Sequence, residues 1–75
     1  MAKERYRVGA AITALKVRVL AEHGDIGVLD IADALRVATE NGVVLVEVAP
    51  FMNPPVCRFV KPEEVEKILR ALERC

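Results

Sequence analysis

Residues 43–48 read Val-Val-Leu-Val-Glu-Val, an apolar run interrupted only by Glu47. The run is short and rich in β-branched side chains, so it predicts a strand rather than a buried helix. Apolar residues at both parities make the run nearly continuous, which suggests a strand well inside a sheet. A chain of 75 residues has room for one hydrophobic core. The rest of the sequence must therefore supply the partners of this strand.

Three further segments can do so. Residues 15–21, Leu-Lys-Val-Arg-Val-Leu-Ala, alternate apolar and basic through Leu15, Val17 and Val19, with Lys16 and Arg18 on the other face. Glu22–Asp25 reads as a turn, with Gly24 free to take positive φ, and residues 26–29 return as a short strand. Residues 56–60 form a fourth strand, Val56, Arg58 and Val60 on one face and Cys57 and Phe59 on the other. Between the two pairs, Ile31, Ala34, Leu35 and Ala38 make a helical stripe over about residues 31–41. Asp30 is a good N-cap, Asp33 suits the first turn, and Gly42 suits the C′ position. Pro62 and the acids Glu63, Glu64 and Glu66 open a last helix striped by Val65, Ile68, Leu69 and Leu72.

The order is ββαββα. Two hairpins joined by a helix can pair their outer strands, so the expected class is α+β. The architecture is a β-grasp-like four-stranded mixed sheet with one packed helix (ββαββ) plus a C-terminal helix, all in one domain over residues 1–75.

Eleven Lys and Arg balance eleven Asp and Glu, which excludes the strongly basic profile of a dedicated nucleic-acid binder. The charge is unevenly placed, however. Residues 1–20 carry a net +4 and residues 21–60 a net −4. Enzyme chemistry is poorly supplied. There is one His, no Ser, and neither Thr13 nor Thr39 has a His near it in sequence. His23 has no further ligands at metal-binding spacing, and Gly24-Asp25-Ile26-Gly27 lacks the Lys-Ser/Thr pair of a phosphate loop. The expectation is no enzyme, no metal and no cofactor. Glu47 is expected to pair with Arg58 or Arg18 on the sheet face away from the helix, as a structural ion pair. Cys57 sits in an apolar run and reads as a buried thiol, whereas Cys75 is terminal, so no disulfide framework is expected. No stretch is long enough to span a bilayer and the polar N-terminus has no secretory core, so a cytoplasmic protein with reduced thiols is expected.

The most distinctive text is Leu45-Val46-Glu47-Val48-Ala49-Pro50 followed by Asn53-Pro54-Pro55-Val56-Cys57-Arg58. It resembles the N-terminal domain of bacterial translation initiation factor 3, whose pattern runs roughly D-L-V-E-V-A-P-x-x-x-P-P-V-C-R/K. Ile12-Thr13-Ala14 and Val17-Arg18-Val19 look like the family's I-R-A and V-R-L/V, and Gly24, Gly27-Val28 and Ala34-Leu35 fall at matching places. The likeness covers about residues 7–60. The chain departs from the pattern at several points. Gly24 to Gly27 is one residue shorter than G-x-x-x-G, and Gly9 and Thr13 stand where Asn and Arg are common. Phe51-Met52 replaces a polar loop tip, and a charge-balanced helix over 61–75 replaces the D-Y-G-K stretch and Lys-rich linker.

The resemblance implies a helix on a four-stranded mixed sheet, and the small ribosomal subunit and initiator tRNA as partners. In full-length members a C-terminal domain carries most of the subunit binding and the anti-association activity, so the expected role here is that of an accessory binder. Arg5, Arg7, Lys16, Arg18 and Arg58 are the expected phosphate-contacting patch. Two other classes stay open on the residues themselves: a designed or resurfaced scaffold without function, and a protein-interaction module using Phe51-Met52 or the last helix. A monomer is expected, with a dimer through the C-terminal helix or Cys75 as the other arrangement.

Overall fold

The structure is a computed structural model, which describes residues 6–21 and 24–74. Arg5, His23 and Cys75 lie outside the described residues. The strands are β1 (Lys16–Ala21), β2 (Gly24–Asp30), β3 (Val44–Ala49) and β4 (Val56–Val60). Helix α1 (Ile31–Glu40) links the two hairpins, and α2 (Val65–Arg74) follows a 3-10 turn at Pro62–Glu64. The four strands form one sheet in the order β2-β1-β4-β3. Both hairpins are antiparallel, and β1 and β4 join them in parallel at the centre. This is the β-grasp-like α+β arrangement that the element order predicts, with an added 3-10 turn at Gly9–Ala11 that periodicity does not reveal.

Alternation explains the main core. Val17 and Val19 of β1, Leu45 of β3 and Cys57 of β4 point to one face and are fully buried beneath Ala34 and Ala38 of α1. Two alanines on the helix's inner stripe let it approach the sheet closely. Ile12 closes the core, and Ile31, Leu35, Leu29 and Phe59 pack around it. Helix α1 ends as its sequence predicts. Gly42 has φ 66°, the Gly42 N–H donates to the Thr39 carbonyl at 3.2 Å, and the Val43 N–H donates to Ala38 at 2.9 Å. That pair of bonds is a Schellman motif. At the other end Asp30 holds the N-cap position without a side-chain capping bond, and its Oδ1 instead accepts Lys16 Nζ at 2.7 Å.

Strand β3 departs from the expectation of an interior strand. It is the last strand of the sheet, yet both of its faces are covered. Leu45 faces α1, while Val46 and Val60 are buried on the opposite face, where α2 lies across β3 and the start of α2 meets the end of β4. Its outer edge is partly closed by the N-terminal segment. Val8 bridges Val46, and the Glu47 N–H donates to the Arg7 carbonyl at 2.9 Å. The two-sided apolar pattern thus records two helices, not two strand neighbours.

Two smaller corrections concern the first hairpin. Of the expected Glu22–Asp25 turn, Gly24 and Asp25 instead begin β2, which has an irregular register against Val19/Leu20 that leaves Ile26 unpaired. Asp25 Oδ1 accepts the Gly27 N–H across this bulge at 2.8 Å. Leu15, expected on the core face, precedes β1 and is 82% exposed, its carbonyl accepting the Ile31 N–H at 2.9 Å.

Candidate nucleic-acid interface

The side of the sheet away from α1 is divided. Helix α2 covers the β3 end, and the β2-β1 end is open. Because residues paired across neighbouring strands point the same way, the register decides what the open part presents. Arg18 stands opposite Val28 of β2 and Val56 of β4, and Leu20 stands opposite Arg58. Lys16, Arg18 and Arg58 therefore share this face, as the alternation of β1 and β4 predicts.

Lys16 and Arg18 are each held by a carboxylate on β2. Lys16 Nζ donates to Asp30 Oδ1 at 2.7 Å, a hydrogen bond that raises the lysine's pKa. Arg18 donates to Asp25 Oδ2 from Nη2 at 2.6 Å and from Nε at 3.1 Å. That two-pronged contact, helped by the Gly27 N–H, holds the Asp25 carboxyl below its ordinary range. All four side chains are well exposed. Among the described residues no carboxylate lies within ion-pair reach of Arg58, which is also exposed.

Arg7 is not part of this group. The Val8–Val46 bridge puts Val8 on the α2 face and Arg7 on the α1 face, at the far edge of the sheet. There its Nη1 lies 3.9 Å from Glu47 Oε1. The expected pairing of Glu47 with Arg58 or Arg18 does not form: its register partner is Cys57, so its carboxylate turns to the α1 side. It is 2% exposed, and Oε1 has no hydrogen-bond partner. The predicted patch therefore resolves into Lys16, Arg18 and Arg58 on one face and Arg7 on the other.

A groove that periodicity does not reveal adjoins the basic group. One wall is Asn53, Pro54 and Pro55 of the β3–β4 loop, where the Asn53–Pro54 bond is cis; the other is Leu15, Lys16 and Val28. The Arg18 N–H donates to the Pro55 carbonyl at 2.9 Å, which ties the loop to the start of β1. The only advance sign of this groove is the double proline, which keeps the loop extended beside β1. No group of three or more potential metal ligands occurs among the described residues. Chemically, the face can hold an anion and cover a flat apolar group.

A mixed four-stranded sheet with one face roofed by a helix and the other half open defines a small α+β domain of β-grasp-like class. Its sequence carries the family as well: the chain belongs to the translation initiation factor IF-3, N-terminal domain family, whose pattern matches residues 8–68. It is 39% identical over 72 residues to a translation initiation factor IF-3 of Aquifex aeolicus, covering 95% of this chain and 41% of that protein. It is 43% identical over 58 residues to the factor of Parabacteroides distasonis, covering 77% of this chain and 28% of that protein. With the factor of Aromatoleum aromaticum it shares 45% identity over 62 residues, covering 80% of this chain and 36% of that protein. The chain thus spans well under half the length of these relatives. No helix among the described residues is long and apolar enough to cross a membrane.

Proposed function

We propose that this domain is an accessory binder of translation initiation, holding RNA of the small ribosomal subunit or the initiator tRNA weakly through the open half of its sheet. The carrying observation is that Lys16, Arg18 and Arg58 share that face within the matched residues. Arg58 is the main phosphate contact, because it gives up no aspartate when it binds an anion. Arg18 and Lys16 each exchange a carboxylate for a phosphate and add less. Arg7, at the other edge, contributes only where RNA also wraps round to it. The role is binding in the cytoplasm, with no reaction of its own.

Co-sedimentation with small subunits at about 50 mM salt tests this, since phosphate contacts are strongest there. The chain should pellet with the subunits and be released at about 200 mM salt. Arg58→Glu should abolish pelleting with an unchanged circular dichroism spectrum, and Arg18→Glu should weaken it less. No pelleting of the unaltered chain leaves a scaffold without this function. Pelleting that ignores both reversals points to a protein-interaction module instead.

A further inference from the structure

The β3–β4 loop carries two large apolar side chains into solvent. Phe51 is 79% exposed and Met52 is 50% exposed. They belong to a tight turn in which the Met52 N–H donates to the Ala49 carbonyl at 3.2 Å, with Pro50 and Phe51 at its central positions. Proline at the first of these fixes its φ, so the aromatic ring is presented on a stiff support and little freedom is lost when something covers it. The same loop continues into Asn53–Pro55, the wall of the groove beside Lys16.

The charge of the neighbourhood selects the occupant. Lys16, Arg18 and Arg58 make the adjoining face basic, which calls for an anion, but Asp25 and Asp30 already hold two of these cations. The whole chain is neutral as well. Charge alone therefore gives a weak grip, and affinity must come from flat apolar contact next to the anion. An unpaired nucleotide offers that combination, a base face beside a phosphate, whereas a duplex hides its base faces in the stack.

We infer that Phe51 is a stacking platform for an unpaired RNA base, with the strand running on past Lys16 toward Arg18 and Arg58. This rests on the reading of the domain as an RNA-binding accessory and adds the form of the RNA: single-stranded, a loop, bulge or end. Ring stacking does not release counterions, so its loss lowers affinity without changing the salt dependence.

The chain contains no tryptophan, so Phe51→Trp gives a single fluorescent reporter at this position. Its emission should be quenched by a short single-stranded RNA such as an A-rich or U-rich octamer, and not by the same length of RNA duplex. Phe51→Ala should weaken octamer and small-subunit binding about fivefold to a hundredfold, the range of base–aromatic stacking, with the slope of log K against log salt unchanged. Phe51→Trp should bind at least as well as the unaltered chain. The melting temperature should not move in either variant, given the exposure of the ring. If the unaltered chain binds small subunits and Phe51→Ala binds them equally, stacking is overturned and the accessory reading stands. If Phe51→Ala loses subunit binding while the octamer leaves the Trp emission unchanged, the loop docks on a ribosomal protein, and stacking is again overturned. If small subunits are not bound but the octamer still quenches, stacking stands and the ribosomal reading falls. No quenching and no subunit binding removes both.

Discussion

Cys57 of β4 and Glu47 of the outermost strand β3 are register partners, and both are buried. Desolvation, and after it the Glu47 charge, pushes the Cys57 thiol up to about 12 from 9.0. A raised pKa means that the folded state keeps the proton after the unfolded chain has released it. The thiol's contribution is therefore full below pH 9 and is lost as pH rises from 9 to about 12. Compared in a Cys75→Ser background, the parent chain should lose stability across that window faster than Cys57→Ser, by up to about 1.4 kcal/mol per pH unit. Near pH 7 the same substitution should cost about 1–3 kcal/mol, because a hydroxyl replaces the sulfur with no partner in place. Urea midpoints at a series of pH values measure both effects; parallel curves would show that the thiol is not protected. Arg7 offers a second contrast at this scale. Among the described residues it is the cation nearest a carboxylate that is almost wholly buried, whereas Lys16 pairs with Asp30 in solvent. Arg7→Ala should cost about 1–2 kcal/mol, below the cost of breaking a fully buried pair because Arg7 is itself 45% exposed. Lys16→Ala should cost less than about 1 kcal/mol, as exposed pairs do. Equal costs by chemical denaturation would mean that Glu47 draws nothing from Arg7.

The elements divide by how local their cause is. The alternation of β1 and β4 and the stripe of α1 were legible because each is a short-range period, and the Schellman end of α1 was legible because Gly42 stands where it must. What buries β3 was not legible. Two-sided apolarity records that a strand is covered, and it does not distinguish a neighbouring strand from a helix laid across the sheet. Glu47's partner was hidden for a related reason, since it depends on the N-terminal segment docking at the β3 edge, far away in sequence. Of the candidate site, the shared face of Lys16, Arg18 and Arg58 follows from period two, but the aspartates that hold two of them needed the β2 register and its bulge. Val60, Phe59 and Ile68 line one depression, and the α2 stripe is half-buried throughout. Ile68→Ala should cost about 1–2 kcal/mol, less than a fully buried truncation. The loss should be independent of protein concentration if α2 docks on its own sheet, as its coverage of Val46 and Val60 requires. A reduced protein whose melting temperature rises with concentration, and loses that dependence in Ile68→Ala, would place the stripe between two copies.

For the whole molecule the decisive quantity is charge that nets to zero but is arranged by sign. Residues 1–20 net +4 and residues 21–60 net −4, and two cations of the first stretch meet two acids of the second across β1 and β2, where Lys16–Asp30 and Arg18–Asp25 close at 2.7 and 2.6 Å. The face proposed to bind RNA is therefore largely neutralised by its own neighbouring strand, so the proposed binding has weak long-range steering. Each phosphate contact releases counterions, adding about 0.7 to 0.9 to the slope of log K against log salt. Arg58 acting alone thus gives a slope near about −1, whereas all three cations give about −2 to −3. Removing the internal competitors should move the domain from the first regime toward the second. Asp30 makes no capping bond that an amide would lose, and an amide oxygen replacing Asp25 Oδ1 could still accept the Gly27 N–H. Asp25→Asn with Asp30→Asn should therefore leave the fold intact. The double variant should bind single-stranded RNA and small subunits several-fold more tightly at about 50 mM salt, with a steeper slope, and should converge on the parent near about 200 mM. Binding that is unchanged at low salt would mean that Lys16 and Arg18 keep their carboxylates or never meet the phosphates. Arg58 and the loop would then carry the contact without them.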